Sequence, residues 1–171
     1  SGEMIGNVLG NSFLGFALSL LVISPLLDRF GAKRVILFAA ACFIVGPGLV
    51  LAAAAAGGPV YVLLNLAMVI WGCGWGATEA SINPVIATLY ADDKTGKLNA
   101  LHAWWPAGLI AGGLLSVLFF QSLDLPWQAL VGLCIVPGVV LAIWAARHEF
   151  PPTESKAAGV TFGEMMTEPF R

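Results

Sequence analysis

Asp, Glu, Lys and Arg are absent from four long stretches of this chain, residues 4–27, 35–78, 98–123 and 125–146. An uncharged apolar run of about 20 residues is what crosses a hydrocarbon core of about 30 Å as a helix, so this spacing constrains the fold more than any other feature. The second run is too long for one crossing. It breaks at Gly57-Gly58-Pro59, where two glycines and a proline interrupt the pattern. The sequence therefore predicts five spans, at about 4–27, 35–56, 60–90, 98–120 and 126–146, with Glu79 embedded in the third. Only helices and closed barrels satisfy backbone polar groups in lipid, and the short alternating segments of barrel strands do not occur here. The expected fold class is an all-α membrane protein, with a bundle over residues 1–147 and a tail at 148–171.

Composition excludes the soluble alternatives. The chain is 58% hydrophobic and 11% charged, where soluble domains carry roughly 25% charged residues. Its mean hydropathy is +0.87. A net charge of −2 argues against a nucleic-acid partner, which selects for basic surplus. Cys42, Cys73 and Cys134 lie far apart in apolar runs, a pattern that builds neither a disulfide framework nor a metal site. No metal or cofactor is expected.

The basic residues set an orientation. Arg29, Lys33 and Arg34 fall in the first gap, Lys94 and Lys97 in the third, and Arg147, Lys156 and Arg171 after the last span. By the positive-inside rule, loops 28–34 and 91–97 and the tail are expected to be cytoplasmic, in a plasma or bacterial inner membrane. The chain opens with Ser-Gly-Glu and enters its first span almost at once, which reads as a piece of a longer protein lacking a preceding helix. In the tail, Phe162, Met165, Met166 and Phe170 recur at helical spacing, and Thr161 with Glu164 fits a capping box. This predicts a short amphipathic helix, lying on the membrane face or packed on a further domain.

Inside the spans, Glu79 stands alone as an ionisable acid. A charge at mid-bilayer costs about 2.5–3.5 kcal/mol on insertion scales, which makes an intramembrane carboxylate a functional candidate by default. At 1.5 Å rise per residue it lies roughly 28 Å from Val60 and roughly 17 Å from Tyr90. Trp75 precedes it by one turn and Asn83 follows by one turn, so the three share a face. Acid, amide and indole together can bind sugar hydroxyls and stack on a pyranose, and the acid can carry a proton. A neutral glutamic acid bonded to a neighbouring helix is the structural alternative. His102 and Trp105 share one side of the next helix, as solute or proton contacts or as hydrogen-bonding glue. Asn7 and Asn11 are read chiefly as interhelical glue. Trp127 and Trp144, near helix ends, are read as interfacial anchors. Gly72 with Gly76 and Gly108 with Gly112 make G-x-x-x-G spacings that permit close helix approach.

Two motifs carry a family resemblance. Ser24-Pro25-Leu26-Leu27-Asp28-Arg29-Phe30-Gly31-Ala32-Lys33-Arg34 resembles the G-x-L-x-D-R-x-G-R-R loop of the major facilitator superfamily, with Ser24 and Ala32 as departures. The run from Gly72 to Pro84, followed by Leu98 to Gly108, resembles the fourth and fifth helices of the sugar-porter branch that includes fucose permeases. His102 stands where that branch often has Gln, and Trp105 where it often has Asn. The resemblance implies helices two to six of twelve, an N-terminal six-helix bundle without its first helix. It further implies secondary active transport of a small polar solute, a sugar, by proton symport and alternating access. Glu79, Asn83, Trp75, His102 and Trp105 would face solute or proton. Asp28, Arg29, Gly31, Lys33 and Arg34 would form a gating loop, in which Gly31 permits a tight turn and Asp28 meets the N-terminal dipole of a helix from the other half. The implied partners are the solute, a proton, the bilayer and the second helix bundle of the same protein.

No nucleophile elbow, zinc-helix motif or paired histidines accompany Glu79, so an enzyme is not expected. The other readings are an exporter of amphipathic compounds, suggested by aromatic and methionine content, and a non-transporting scaffold or sensor on the same fold.

Overall fold

A computed structural model describes residues 2–56, 60–160 and 163–164. Its long helices are α1 (Gly2–Phe30), α2 (Ala32–Ala56), α3 (Val60–Leu89) and α4 (Lys94–Val117). A fifth crossing is built from α5 (Trp127–Leu133) and α6 (Ile135–Arg147), and a four-residue α7 (Glu154–Ala157) follows. Five helical stretches are long and apolar enough to cross a membrane. The Gly-Gly-Pro break and most of the amphipathic tail, Thr161, Phe162, Met165, Met166 and Phe170 included, lie outside the described residues.

The bounds follow from local chemistry. Gly31 joins α1 to α2 at φ +79°, a left-handed conformation that costs a glycine little, and its N–H closes α1 on the Leu27 carbonyl at 2.7 Å. α4 begins four residues before the span start predicted at residue 98, because the Asp93 carboxylate accepts from the Gly96 N–H at 3.2 Å and caps it. Its last turn widens into a π-helical turn, Leu118–Ser122. The fifth crossing is interrupted at Cys134, one turn before Pro137, which has no N–H for the Leu133 carbonyl.

α3 is the central helix. It packs along its length against α1 on one side and α2 on the other, and α2 in turn packs against α6. The buried core sits where Leu27, Val35, Ala39, Ala77 and Val85 meet. α4 touches α3 only lightly and contains no buried residue. Four hydroxyls inside the spans return their hydrogen bonds to their own helix: Thr78 to the Gly74 carbonyl, Ser81 to Ala77, Thr88 to Pro84 and Ser116 to Gly112. That local satisfaction is what makes hydroxyls tolerable in hydrocarbon.

Candidate functional site

The site is carried by one stripe of α3. Asn65, Gly72, Gly76, Glu79 and Asn83 recur at intervals of seven, four, three and four, which keeps them on one side of a helix. Over its first half the stripe is glued to α1. A methyl group at Gly72 would run into the Ser12 carbonyl, one at Gly76 into the Phe16 carbonyl, and one at Gly15 into the Val69 carbonyl. The two backbones approach only because these three positions lack a side chain. Polar contacts fix the register: Ser19 Oγ donates to the Cys73 carbonyl at 2.9 Å, and Asn11 Nδ2 donates to Asn65 Oδ1. Asn65 Nδ2 in turn donates to the Tyr61 carbonyl at 2.6 Å. Asn11 thus acts as interhelical glue, and its partner Asn65 is a residue the sequence reading passed over.

Below the glycines, Asn83 Nδ2 donates to Glu79 Oε2 at 3.0 Å, both groups being partly buried. A hydrogen bond to a charged group contributes about 1.5–3 kcal/mol, so this one amide offsets at most the insertion cost of the acid. Asn83 Oδ1 is buried and accepts no hydrogen bond among the described residues. The next residue, Pro84, removes the N–H that would have reached the Ala80 carbonyl. Acid, amide and a missing backbone donor therefore stand within two turns of α3.

The other candidates are distributed differently. Trp75 turns onto α1, its ring 4.3 Å from that of Phe16 and edge-on to Phe13 at 5.7 Å. His102 and Trp105 lie on exposed α4, Trp105 at 57% exposure and its neighbour Trp104 at 76%. Glu79 and Asn83 are thus bonded together, Trp75 is packed beside α1, and His102 and Trp105 remain on the helix with the most open surface. Trp144 is 49% exposed, stacked on His148 at 4.7 Å and edge-on to Phe150 at 5.7 Å near the end of its own helix.

A second polar cluster forms at the α1–α2 turn. Thr153 Oγ1 donates to Asp28 Oδ1 and accepts from the Lys156 N–H at 3.4 Å, and Lys33 Nζ pairs with Glu149 Oε1 at 2.9 Å. Asp28 therefore meets the start of short α7 within this chain, a contact the sequence reading did not foresee. Thr153 and Glu149 were missed because no local pattern marks residues more than 100 positions from their partners.

Fold and site define a multi-pass helical membrane protein with an acid–amide pair inside its central span. The sequence matches the family model of the Major Facilitator Superfamily over residues 1–170, and the chain belongs to that family. It is 28% identical over 136 residues to a D-xylose transporter of Levilactobacillus brevis, covering 80% of this chain and 29% of that protein. It is 26% identical over 144 residues to the glucose transporter GlcP of Staphylococcus epidermidis, covering 84% of this chain and 29% of that protein. The chain thus spans less than a third of the length of these curated relatives. No solved structure matches it significantly.

Proposed function

We propose that this chain forms part of a secondary active transporter that moves a sugar across the membrane by proton symport, through alternating access of two helix bundles. The observation that carries the reading is the Glu79–Asn83 pair, a carboxylate held by an amide at 3.0 Å in the C-terminal half of a membrane-spanning helix. Two relatives named as sugar transporters support the solute class. Glu79 is the coupling acid. Asn83 and Trp75 frame it, and His102 and Trp105, exposed on α4, supply further contacts to solute or to the second bundle. The proton gradient and the differential affinity of two conformations drive the cycle, with no covalent chemistry.

The loop Asp28, Arg29, Gly31, Lys33 and Arg34 gates the cycle on the cytoplasmic side, the side that positive-inside reasoning assigns to it and to loop 91–97. Gly31 lets α1 turn sharply into α2, Asp28 holds the segment after α6 through Thr153, and Lys33 meets Glu149 of that segment at its exposed surface. A rocking bundle has to keep or release these contacts as one unit.

Uptake of labelled xylose and glucose by the full-length protein in proteoliposomes, with and without an inward proton gradient, tests the reading. Accumulation that needs the gradient, lost in Glu79→Gln while solute exchange continues, is the expected result. Absence of sugar movement under any gradient removes the sugar assignment.

A further inference from the structure

We propose that Asn83 is the positioning residue that holds the coupling proton on Glu79, by closing a two-bond ring between a carboxylic acid and a primary amide. The inference rests on the reading of Glu79 as the coupling acid and starts from one atom. Among the described residues no donor reaches the buried Asn83 Oδ1, while Nδ2 of the same amide donates to Glu79 Oε2 at 3.0 Å. Buried acceptors without donors are uncommon and destabilising. Another state of the same site supplies the donor here. A carboxylate has no proton to give, whereas a carboxylic acid has one O–H. An acid and a primary amide present matched pairs, O–H and C=O on one, C=O and N–H on the other. The bond already in place is one half of that ring, and the other half lacks only a proton on Glu79 Oε1. The last torsion of Glu79, which orients Oε1 toward Oδ1, is a soft one.

Among the described residues, the surroundings leave this donor as the one that fits. The nearby hydroxyls of Thr78 and Ser81 are spent on the carbonyls of Gly74 and Ala77. Within residues 4–27, α1 offers no titratable side chain at all, and its Asp28 and Arg29 lie at the helix end. The α2 span offers only Cys42, whose Cβ sits against Gly74, with Lys33 and Arg34 at the start of that helix. α4 offers His102, on its exposed face, with Lys94 and Lys97 in its first turn. On α3 itself the remaining titratable groups are Tyr61 and Cys73, both N-terminal to Glu79. Proton binding thus neutralises the intramembrane charge and satisfies the orphaned oxygen in one event. The proton comes from water, sits on Oε1 shared with Oδ1, and leaves to water when the ring opens. The proton-loaded unit is then the form most easily carried as the bundle moves through lipid.

The test is infrared difference spectroscopy on the full-length protein in lipid, with its pH varied, beside gradient-driven sugar uptake. Glu79→Gln should remove a protonated-carboxyl band. Asn83→Leu should shift that band to the position of a carboxyl free of hydrogen bonds. It should also lower accumulation about tenfold, the loss expected of one hydrogen bond of this kind, while downhill exchange continues. Where the leucine variant does not fold, a carbonyl-labelled asparagine band in the unsubstituted protein should move together with the Glu79 band. If Glu79→Gln removes the band and neither asparagine readout moves, this proposal fails and the coupling reading stands. If Glu79→Gln removes no band, both fall.

Discussion

The Thr153 hydroxyl donates to the Asp28 carboxylate across 125 residues of sequence, and Thr153 is 8% exposed. The contact ties the end of α1 to the segment that follows the last crossing. A partly buried hydrogen bond to a charged acceptor is worth about 1–2 kcal/mol after discounting for solvent. Thr153→Val keeps the shape and removes the donor. Thermal unfolding of the full-length protein in lipid should show a loss of about that size. In a double-mutant cycle, Asp28→Asn and Thr153→Val should be non-additive by about 1 kcal/mol. Strict additivity would mean that the two residues do not support one another.

The neighbouring ion pair behaves in the opposite way. Lys33 and Glu149 meet at 2.9 Å, yet the Glu149 side chain is 92% exposed. Water screens such a pair and the two side chains lose rotamer freedom in forming it. Glu149→Gln should leave the melting temperature unchanged within error, and a clear drop would show that the segment after α6 is held electrostatically.

The glycines divide just as sharply. An alanine methyl at Gly72 meets the Ser12 carbonyl, whereas one at Gly48 meets nothing within 4 Å. Gly72→Ala should destabilise the bundle by about 1–3 kcal/mol because two backbones must separate. Gly48→Ala should be neutral or stabilising by up to about 1 kcal/mol, since alanine favours the helix. Equal melting temperatures for the two variants would remove the close α1–α3 approach as the reason for Gly72.

These contrasts mark how far the sequence reaches. The spans were legible because hydrocarbon excludes charge, a rule that acts residue by residue and needs no knowledge of neighbours. Glu79 and Asn83 were legible for the same reason, joined to helical periodicity. The interruption at Cys134 was missed, although Pro137 was in plain view: prolines at 25, 47, 84 and 106 lie inside unbroken helices, so a proline alone does not say which helix will break. The Asp28–Thr153 bond had no local signature at all. Trp75 was read as a solute contact from its spacing to Glu79; its packing on Phe16 depends on how α1 and α3 register, which the glycines at 15, 72 and 76 set only once the two helices are paired.

The orientation is open to a direct check. Asp92 and Asp124 are both exposed, one in the turn before α4 and one in the loop after it. In a cysteine-free background, a membrane-impermeant thiol reagent should label Asp124→Cys in intact cells, and should reach Asp92→Cys only after the cytoplasmic face is opened. The reverse pattern would invert the topology and move the Asp28 loop to the outside.

Trp75 joins fold to function, and its replacement should be felt in both. Its indole packs 4.3 Å from Phe16 and edge-on to Phe13, and it lies one turn from Glu79. Trp75→Ala removes an aromatic contact and leaves a gap between α1 and α3, a loss of about 2–4 kcal/mol for a partly buried ring. Trp75→Phe keeps the ring contact and loses the wider face, so it should restore most of the stability. Sugar affinity separates the two roles. If Trp75 also stacks on solute, Trp75→Phe in full-length protein should melt near the parent temperature and still bind sugar about tenfold more weakly, as expected for about 1.4 kcal/mol of lost stacking. Parent-like affinity in a stable Trp75→Phe variant would confine Trp75 to holding α1 on α3 and leave solute recognition to Glu79, Asn83 and α4.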